Sequence, residues 1–304
     1  MKHLLIGDNA FIGHSHLSQT MGRQKALRLE NDEIVRVIEK AVSCGATGFT
    51  FSTDSTNFRI LRSLAVSDKI DSHFAIYPVL PYAARYVRDI NEKGIRGLVS
   101  DVFSQLSVGE KTKLIVQGSI STVMLNPLGA MMAYIDSELS KIPRTINIQS
   151  ILLHEVVTDL AVSFRSVEVF ETFINHVRSK WHVKPGFVTR NFPSFVDLFR
   201  EMNQPLKEIV IMTPFNSIGF QMNPSRQSCE DCLSDMNGAN VIAMSILAGG
   251  YIPLHKAPIY IRNLSNLSGA AIGVSSVDHA ERTFRTMQEL LADGSNRNSH
   301  SCNM

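Results

Sequence analysis

The stretch that decides the fold runs from Val241 to Thr283 and reads VIAMSILAGGYIPLHKAPIYIRNLSNLSGAAIGVSSVDHAERT. It contains two short apolar runs, Val241 to Ile246 and Ala270 to Val274, which are too short for helices and predict buried strands. Gly249-Gly250 follows the first run, and Ser275-Ser276 follows the second, directly before a helical pattern. Loops of this kind expose backbone N–H groups that bind anions, and a (β/α)8 barrel has its phosphate site after strands 7 and 8. The stretch therefore predicts the end of such a barrel.

The rest of the chain alternates short apolar runs with amphipathic helical patterns. A strand at His3 to Gly7, a helix at Glu33 to Cys44 and a strand at Gly48 to Phe51 form one β-α-β unit. Repeated alternation without hairpins predicts an α/β fold, a (β/α)8 TIM barrel with a parallel eight-stranded sheet, as one domain over residues 1–292. A polar tail, 293–304, is predicted to be flexible.

Nine candidate strands compete for the eight places in the barrel. The region around 93–147 has the weakest periodicity and is therefore predicted to be irregular or inserted. The candidate strands are residues 3–7, 48–51, 74–80, 95–99, 148–153, 186–189, 209–212, 241–246 and 270–274.

Composition narrows the classes of partner and compartment. Charged residues make up 19% of the chain and the net charge is +2 without a basic block, so we expect no nucleic-acid binding. Four cysteines and the lack of a signal-like or long apolar segment predict a cytoplasmic protein that does not bind membranes. The Cys229-x-x-Cys232 pair is predicted to be one buried and one half-exposed thiol on a helix at Ser228 to Met236, because a zinc ribbon needs a second pair.

Polar residues collect where the predicted strands end. Barrel enzymes place their chemistry at these carboxyl ends, so the residues there are candidates for catalysis or for binding a small, anionic substrate. They include Asp8, Asp54, Tyr77, His154 with Glu155, and Arg190 with Asn191. Arg190 has the planar guanidinium that binds a carboxylate or phosphate through two hydrogen bonds, and a salt bridge to Glu155 is the alternative role.

The His14-Ser15-His16 pair raises a metal hypothesis. Two imidazoles after the first barrel strand can bind one metal ion, with His154 completing the ligand set. A histidine pair in a polar loop more often forms structural hydrogen bonds or contacts a substrate than binds a metal. We therefore favour no metal site.

The second half of the chain resembles the aldo/keto reductase superfamily, through segments that occur in the family's order. They are ELSKIPRTINIQSILLHEV (138–156), KPGFVTRNFPSF (184–195), IVIMTPFNS, SILAGG and IGVSSVDHAERTF. The resemblance implies a TIM barrel that reduces carbonyl compounds with a nicotinamide cofactor. It also implies that His154 is the family's catalytic histidine and that Asn191 contacts the nicotinamide amide.

The first half departs from the family's catalytic tetrad. The tetrad of the family consists of an Asp, a Tyr, a Lys and the His. Ser52-Thr53-Asp54 stands where the Asp is expected and Asn57-Phe58 where the Tyr is expected, and no Lys ends the strand at Phe74 to Leu80. Tyr77 and Tyr82 are the candidates to replace the missing acid.

Three hypotheses follow. The first is an NAD(P)-dependent oxidoreductase acting on a small polar carbonyl, sugar-like or phosphorylated metabolite. The second is a non-redox lyase, isomerase or metal-assisted hydrolase that uses His14, His16, His154 and Glu155. The third is a non-catalytic protein that binds a small molecule. In the first, the residues expected to bind the cofactor are Arg190, Asn191, Ser245, Gly249, Gly250, Ser275, Ser276 and Arg282.

Overall fold

The computed structural model describes residues 3–12, 30–81 and 126–292, and within these ranges eight parallel strands close into a barrel. The strands are β1 (His3–Gly7), β2 (Gly48–Ser52), β3 (Ala75–Leu80), β4 (Asn147–Ile148 and Ser150–Leu153), β5 (Lys184–Val188), β6 (Val210–Pro214), β7 (Asn240–Met244) and β8 (Leu267–Gly273). Each strand pairs with its neighbours along the chain, and β8 also pairs with β1, which closes the barrel. The predicted (β/α)8 barrel is confirmed.

The two parts of β4 account for a ninth strand in the hydrogen-bonded sheet. Asn147–Ile148 and Ser150–Leu153 are separated by Gln149 alone, and both pair with β3. Because Val79 and Leu80 of β3 pair directly with Leu152 and Leu153, no further strand fits between β3 and β4. The candidate strand 95–99 lies outside the described residues, as do residues 93–125 of the region predicted to be irregular or inserted, 93–147. Residues 127–139 of that region form a regular helix.

Nine helices lie in the described ranges, and their apolar faces cover the barrel. α1 shows the pattern clearly, since its buried residues Ile34, Val37, Ile38 and Ala41 recur at helical spacing. The helices are α1 (Asn31–Ser43), α2 (Ser55–Leu64), α3 (Pro127–Leu139), α4 (Glu155–Ser163), α5 (Val167–His176), α6 (Phe192–Glu201), α7 (Arg226–Ser234), α8 (Lys256–Arg262) and α9 (Val277–Ala292). A π-helical turn, Val177–Trp181, extends α5.

The barrel interior is filled by side chains that point inward from alternate strands. The strand registers place Leu5, Tyr77, Gly186 and Ile242 at one level, and they place Thr50, Leu152, Met212 and Ala271 at the next. Most of these residues belong to one buried apolar cluster, which is distinct from the larger cluster between strands and helices. Continuing the alternation brings His154 above Leu152 and Arg190 above Val188, at the carboxyl end of the barrel.

None of the helices in these three described ranges combines the length and apolar character needed to cross a bilayer.

Candidate functional site

His154 lies between the last residue of β4, Leu153, and the first residue of α4, Glu155, so it stands at the carboxyl end of the barrel. Its Nδ1 accepts a hydrogen bond of 3.2 Å from the Val156 backbone N–H, which makes the side chain the N-cap of α4. An Nδ1 that accepts a hydrogen bond carries no proton, so the neutral ring carries its proton on Nε2. The ring N–H of His154 is therefore on Nε2, in a fixed position just after a strand.

Glu155 connects His154 to Arg190 on the neighbouring strand end. Its Oε1 accepts a bond of 2.8 Å from Arg190 Nη2, and its Oε2 lies 3.7 Å from His154 Nε2. The side chains of Arg190, Glu155 and His154 are 36%, 23% and 13% exposed, so they form a partly open, charged row. The salt bridge expected as an alternative role for Arg190 is present.

Asp159, one turn further along α4, holds the backbone of Arg190. It accepts a bond of 2.5 Å from Thr189 Oγ1 and one of 3.1 Å from the Arg190 backbone N–H. Burial raises the pKa of Asp159, while these hydrogen bonds oppose that rise. Asp159 was not predicted as a site residue, although its spacing of four residues from Glu155 places the two carboxylates on one helix face.

Asp8 forms a second, buried polar cluster, between the ends of β1 and β2. Its Oδ2 accepts bonds of 2.8 Å from the Ser52 backbone N–H and from Asn57 Nδ2. Burial raises the pKa of the Asp8 carboxyl to about 6; the two hydrogen bonds oppose the rise, and the charge of Asp54 adds to it. A carboxyl group with this pKa can exchange a proton near neutral pH.

Asn57 was missed as a site residue, although it lies at the position expected for the family's tyrosine. It is fully buried, its Nδ2 also donates to the Ser52 carbonyl oxygen, and its Oδ1 is buried without a hydrogen-bond donor. Asp54 caps α2, with Oδ1 accepting a bond of 2.8 Å from the Thr56 backbone N–H. Asp54 thus has a defined structural role beside the Asp8 cluster.

Tyr77 lies inside the barrel rather than at its carboxyl end. Its hydroxyl is 3.5 Å from Nδ1 of His3, which begins β1 at the amino-terminal end, and burial raises the Tyr77 pKa to about 12. The long side chain leaves β3 inward and extends away from His154, so Tyr77 belongs to the core packing. Tyr82, the other candidate acid, lies outside the described residues.

The residues predicted to bind an anion after β8 lie at the start of α9. Ser276 Oγ accepts a bond from the His279 backbone N–H, and the Ser275 backbone N–H donates to His279 Nδ1 at 3.3 Å. Burial and then the charge of Arg282 lower the His279 pKa, which favours the neutral ring that can accept this bond. Ser275, Ser276 and Arg282 are exposed, so they are accessible to a ligand. His279 was missed; its position three residues after Ser276 is the available signal.

The loop after β7 has the unusual backbone that the sequence pattern indicated. Ser245, Gly249 and Gly250 have φ angles of 52°, 69° and 102°, in the left-handed region. The backbone N–H groups of Ala248 and Gly250 donate within this loop, to the carbonyl oxygens of Ser245 and Leu247. The structure brings this loop and the start of α9 to neighbouring strand ends, because β7 pairs with β8.

Asn191 begins α6, and its backbone N–H donates to Thr189 Oγ1 at 3.0 Å. Its side chain makes no capping hydrogen bond to the helix. Thr213 is buried in β6.

Metal and thiol chemistry have little support in the described part of the chain. No group of three or more His, Cys, Asp or Glu residues there could hold a metal ion, while His14 and His16 lie outside it. Cys229 is buried and Cys232 half-buried on α7, as predicted, and burial raises their pKa values to about 12 and about 11. Thiols with such values are weak nucleophiles.

Comparison with known protein families and with curated proteins finds no match to this sequence. Among solved structures, a protein from Pseudomonas aeruginosa provisionally assigned as an aldo-keto reductase has a TM-score of 0.58 and 12% identity, covering 95% of this chain and 90% of that one. An aldo-keto reductase from Bacillus halodurans in its holo form has a TM-score of 0.55 and 9% identity, covering 97% of this chain and 91% of that one. The closed parallel barrel and these two superpositions identify the chain as a divergent TIM barrel with an aldo-keto reductase-like fold.

Proposed function

We propose that this protein is an NAD(P)-dependent oxidoreductase that reduces a small polar carbonyl compound. The observation that carries the proposal is the geometry of His154. In an aldo-keto reductase-like barrel it directly follows β4, and its Nδ1 accepts from the Val156 N–H, so Nε2 presents a proton.

His154 supports carbonyl reduction by stabilising charge on oxygen. Negative charge develops on the carbonyl oxygen during reduction, and an N–H donor fixed in advance stabilises that charge. The Val156 backbone holds the ring, so little reorganisation is needed when the substrate binds. Glu155 Oε2, 3.7 Å from Nε2, lies beside the substrate position without taking a short hydrogen bond from the ring. Tyr82 remains the predicted proton donor.

The residues after β7 and β8 fit the phosphates of a dinucleotide. A bound nicotinamide cofactor would supply the hydride. Ser275 and Ser276 at the start of the 16-residue helix α9 offer hydroxyl groups and the positive end of the helix dipole, and Arg282 adds a positive charge in the second turn of that helix. The holo aldo-keto reductase with the same fold supports this assignment.

Binding and turnover test the proposal separately. NADPH and NADP⁺ should each raise the melting temperature, and NADPH should be oxidised when short aldehydes are added. Replacing His154 by Ala should lower kcat/KM by about 100-fold or more, whereas the control Val156→Ala keeps the capping N–H and should retain wild-type kcat/KM. If neither cofactor form changes the melting temperature of the protein, and the protein does not change the fluorescence of NADPH, the redox proposal is wrong.

A non-redox acid–base enzyme is the second candidate, and the Asp8 cluster favours it. A buried carboxyl with a pKa of about 6 is suited to moving protons between carbon and oxygen atoms in a lyase or isomerase. This candidate predicts solvent-deuterium incorporation into substrate without NAD(P), with a rate that depends on Asp8. Incorporation that persists in an Asp8→Asn variant would exclude Asp8 as the base.

A cytoplasmic setting is part of the first proposal. The three cysteines in the described ranges, Cys44, Cys229 and Cys232, are free thiols, which fits a reducing compartment.

Turnover of any kind that is lost on replacement of His154 would argue against the non-catalytic hypothesis.

A further inference from the structure

We propose that Arg190 anchors an anionic group of the substrate, so that the preferred substrate is an aldehyde or ketone carrying a carboxylate close to its carbonyl group. This inference rests on the proposed function, which it narrows from polar carbonyl compounds to oxo acids. It assigns Arg190 to the substrate rather than to the cofactor.

Arg190 is a cation at the strand end next to the one that holds His154. Among the described residues that lie within two positions of a strand's carboxyl end, it is the one Arg or Lys. It follows β5, which pairs with β4, the strand that His154 follows. The two side chains therefore rise from adjacent strands at the same end of the barrel.

The space between His154 and Arg190 already holds a carboxylate. The carboxylate of Glu155 lies between them, with Oε1 2.8 Å from Arg190 Nη2 and Oε2 3.7 Å from His154 Nε2. A substrate with its carbonyl oxygen at His154 and its carboxylate at Arg190 would bind the same two groups. That arrangement requires a carboxylate only a few bonds from the carbonyl, as in a 2-oxo or 3-oxo acid.

The guanidinium group keeps unused hydrogen-bonding capacity. Arginine has five N–H donors in a planar fork that matches a carboxylate. Here Glu155 accepts from Nη2, while the Nε–H is buried without an acceptor among the residues that the structure describes. The backbone of Arg190 is fixed at both sides, since its N–H donates to Asp159 and its carbonyl oxygen accepts from the Asn223 N–H at 3.1 Å. The backbone of Arg190 is thus fixed, while its guanidinium group is incompletely hydrogen-bonded.

Exchange of carboxylates explains how an anion can enter beside Glu155. Glu155 lies in the first turn of α4 and is partly exposed, so its side chain can turn toward solvent. A substrate carboxylate then replaces the Glu155 carboxylate at Arg190, and the number of charges around the guanidinium stays the same. Glu155 therefore competes with the substrate carboxylate for Arg190. Arg190 raises the affinity for the substrate, and Glu155 lowers it.

Matched substrates and three variants test this inference. The measured quantity is the ratio of kcat/KM for 2-oxobutanoate to that for its methyl ester with NADPH, because the ester lacks the charge. We expect Arg190→Gln to lower this ratio at least about tenfold, which corresponds to about 1.4 kcal/mol. Arg190→Lys should lower it less, and Glu155→Gln should raise it through a lower KM for the acid. The control is Arg165→Gln, since Arg165 pairs with Glu201 on the surface. It should not change the ratio.

A cofactor-free measurement separates this inference from the proposed function. Malonate should raise the melting temperature of the wild-type protein, and Arg190→Gln should abolish that shift while circular dichroism confirms its fold. An Arg190-dependent malonate shift without NADPH turnover of any substrate would refute the redox function and retain the anchor. An acid-to-ester ratio or malonate shift that is the same in Arg190→Gln and wild type would overturn the anchor, whatever the turnover.

Discussion

Replacing Asp8 by Asn should stabilise the protein, and should do so more strongly as the pH rises. Burial raises the pKa of Asp8 from its usual 3.8 to about 6 in the folded protein. A raised folded pKa favours the protonated form, so this contribution to stability is complete below pH 3.8 and is lost as the pH rises through about 6. Asn keeps an oxygen that accepts from Ser52 and Asn57, but it does not titrate.

The size of the effect follows from proton linkage. The ionised Asp8 destabilises the folded state by about 1.6 kcal/mol at pH 5 and about 3 kcal/mol at pH 8. The stability difference between Asp8→Asn and wild type should therefore grow by about 1.4 kcal/mol between these two pH values. Other groups titrate in both the wild type and Asp8→Asn, so their effects cancel in the difference between the two unfolding free energies.

Urea unfolding at pH 5, 6, 7 and 8, followed by circular dichroism and by the fluorescence of the single tryptophan, measures this difference. Asp8→Ala is the matched control, because it also lacks the titrating group but leaves the Ser52 and Asn57 donors without an acceptor. It should be less stable than Asp8→Asn at every pH, by about 1 to 3 kcal/mol. A difference between Asp8→Asn and wild type that stays constant or shrinks as the pH rises would refute the reasoning.

Three further perturbations have expected outcomes. Gly48→Ala should lower the free energy of unfolding, measured with urea, by about 3 kcal/mol, because a Cβ there would overlap the Ala75 carbonyl oxygen. The control Gly273→Ala should lower it much less, because its Cβ would meet only the Gly7 oxygen, at 4.0 Å. Asp136→Ala should destabilise by about 2 to 3 kcal/mol and shift the tryptophan emission, because Asp136 accepts bonds from His176, Lys180 and Trp181. Those partners lower the Asp136 pKa, so its contribution is present at neutral pH and is lost in acid, below the usual carboxyl pKa. The minority metal hypothesis predicts bound metal that His14→Ala and His16→Ala remove; metal-free protein by elemental analysis would reject it.

Local patterns predicted the barrel because its strands are short apolar segments between polar ends. The predicted strand boundaries lie within a few residues of those observed for all eight barrel strands. Four helices, α2, α4, α6 and α8, were not predicted. α4 leaves Val156 and Leu160 exposed at 46% and 54%, which obscures the helical period, and α8 has only seven residues. α2 starts three residues and α6 four residues after the end of a strand, so the apolar pattern of the strand runs into that of the helix.

The sequence by itself determined the alternation of strands and helices and the residues that stand at the strand ends, since both depend on neighbours along the chain. Only the tertiary structure decided how those residues act together. Asp8 meets Asn57 across 49 positions of sequence, and Arg190 meets Glu155 across 35. The direction of the Tyr77 side chain was decided in the same way, by its inward place in the closed barrel. Contacts of this range arise from barrel closure and strand register, which local patterns do not encode.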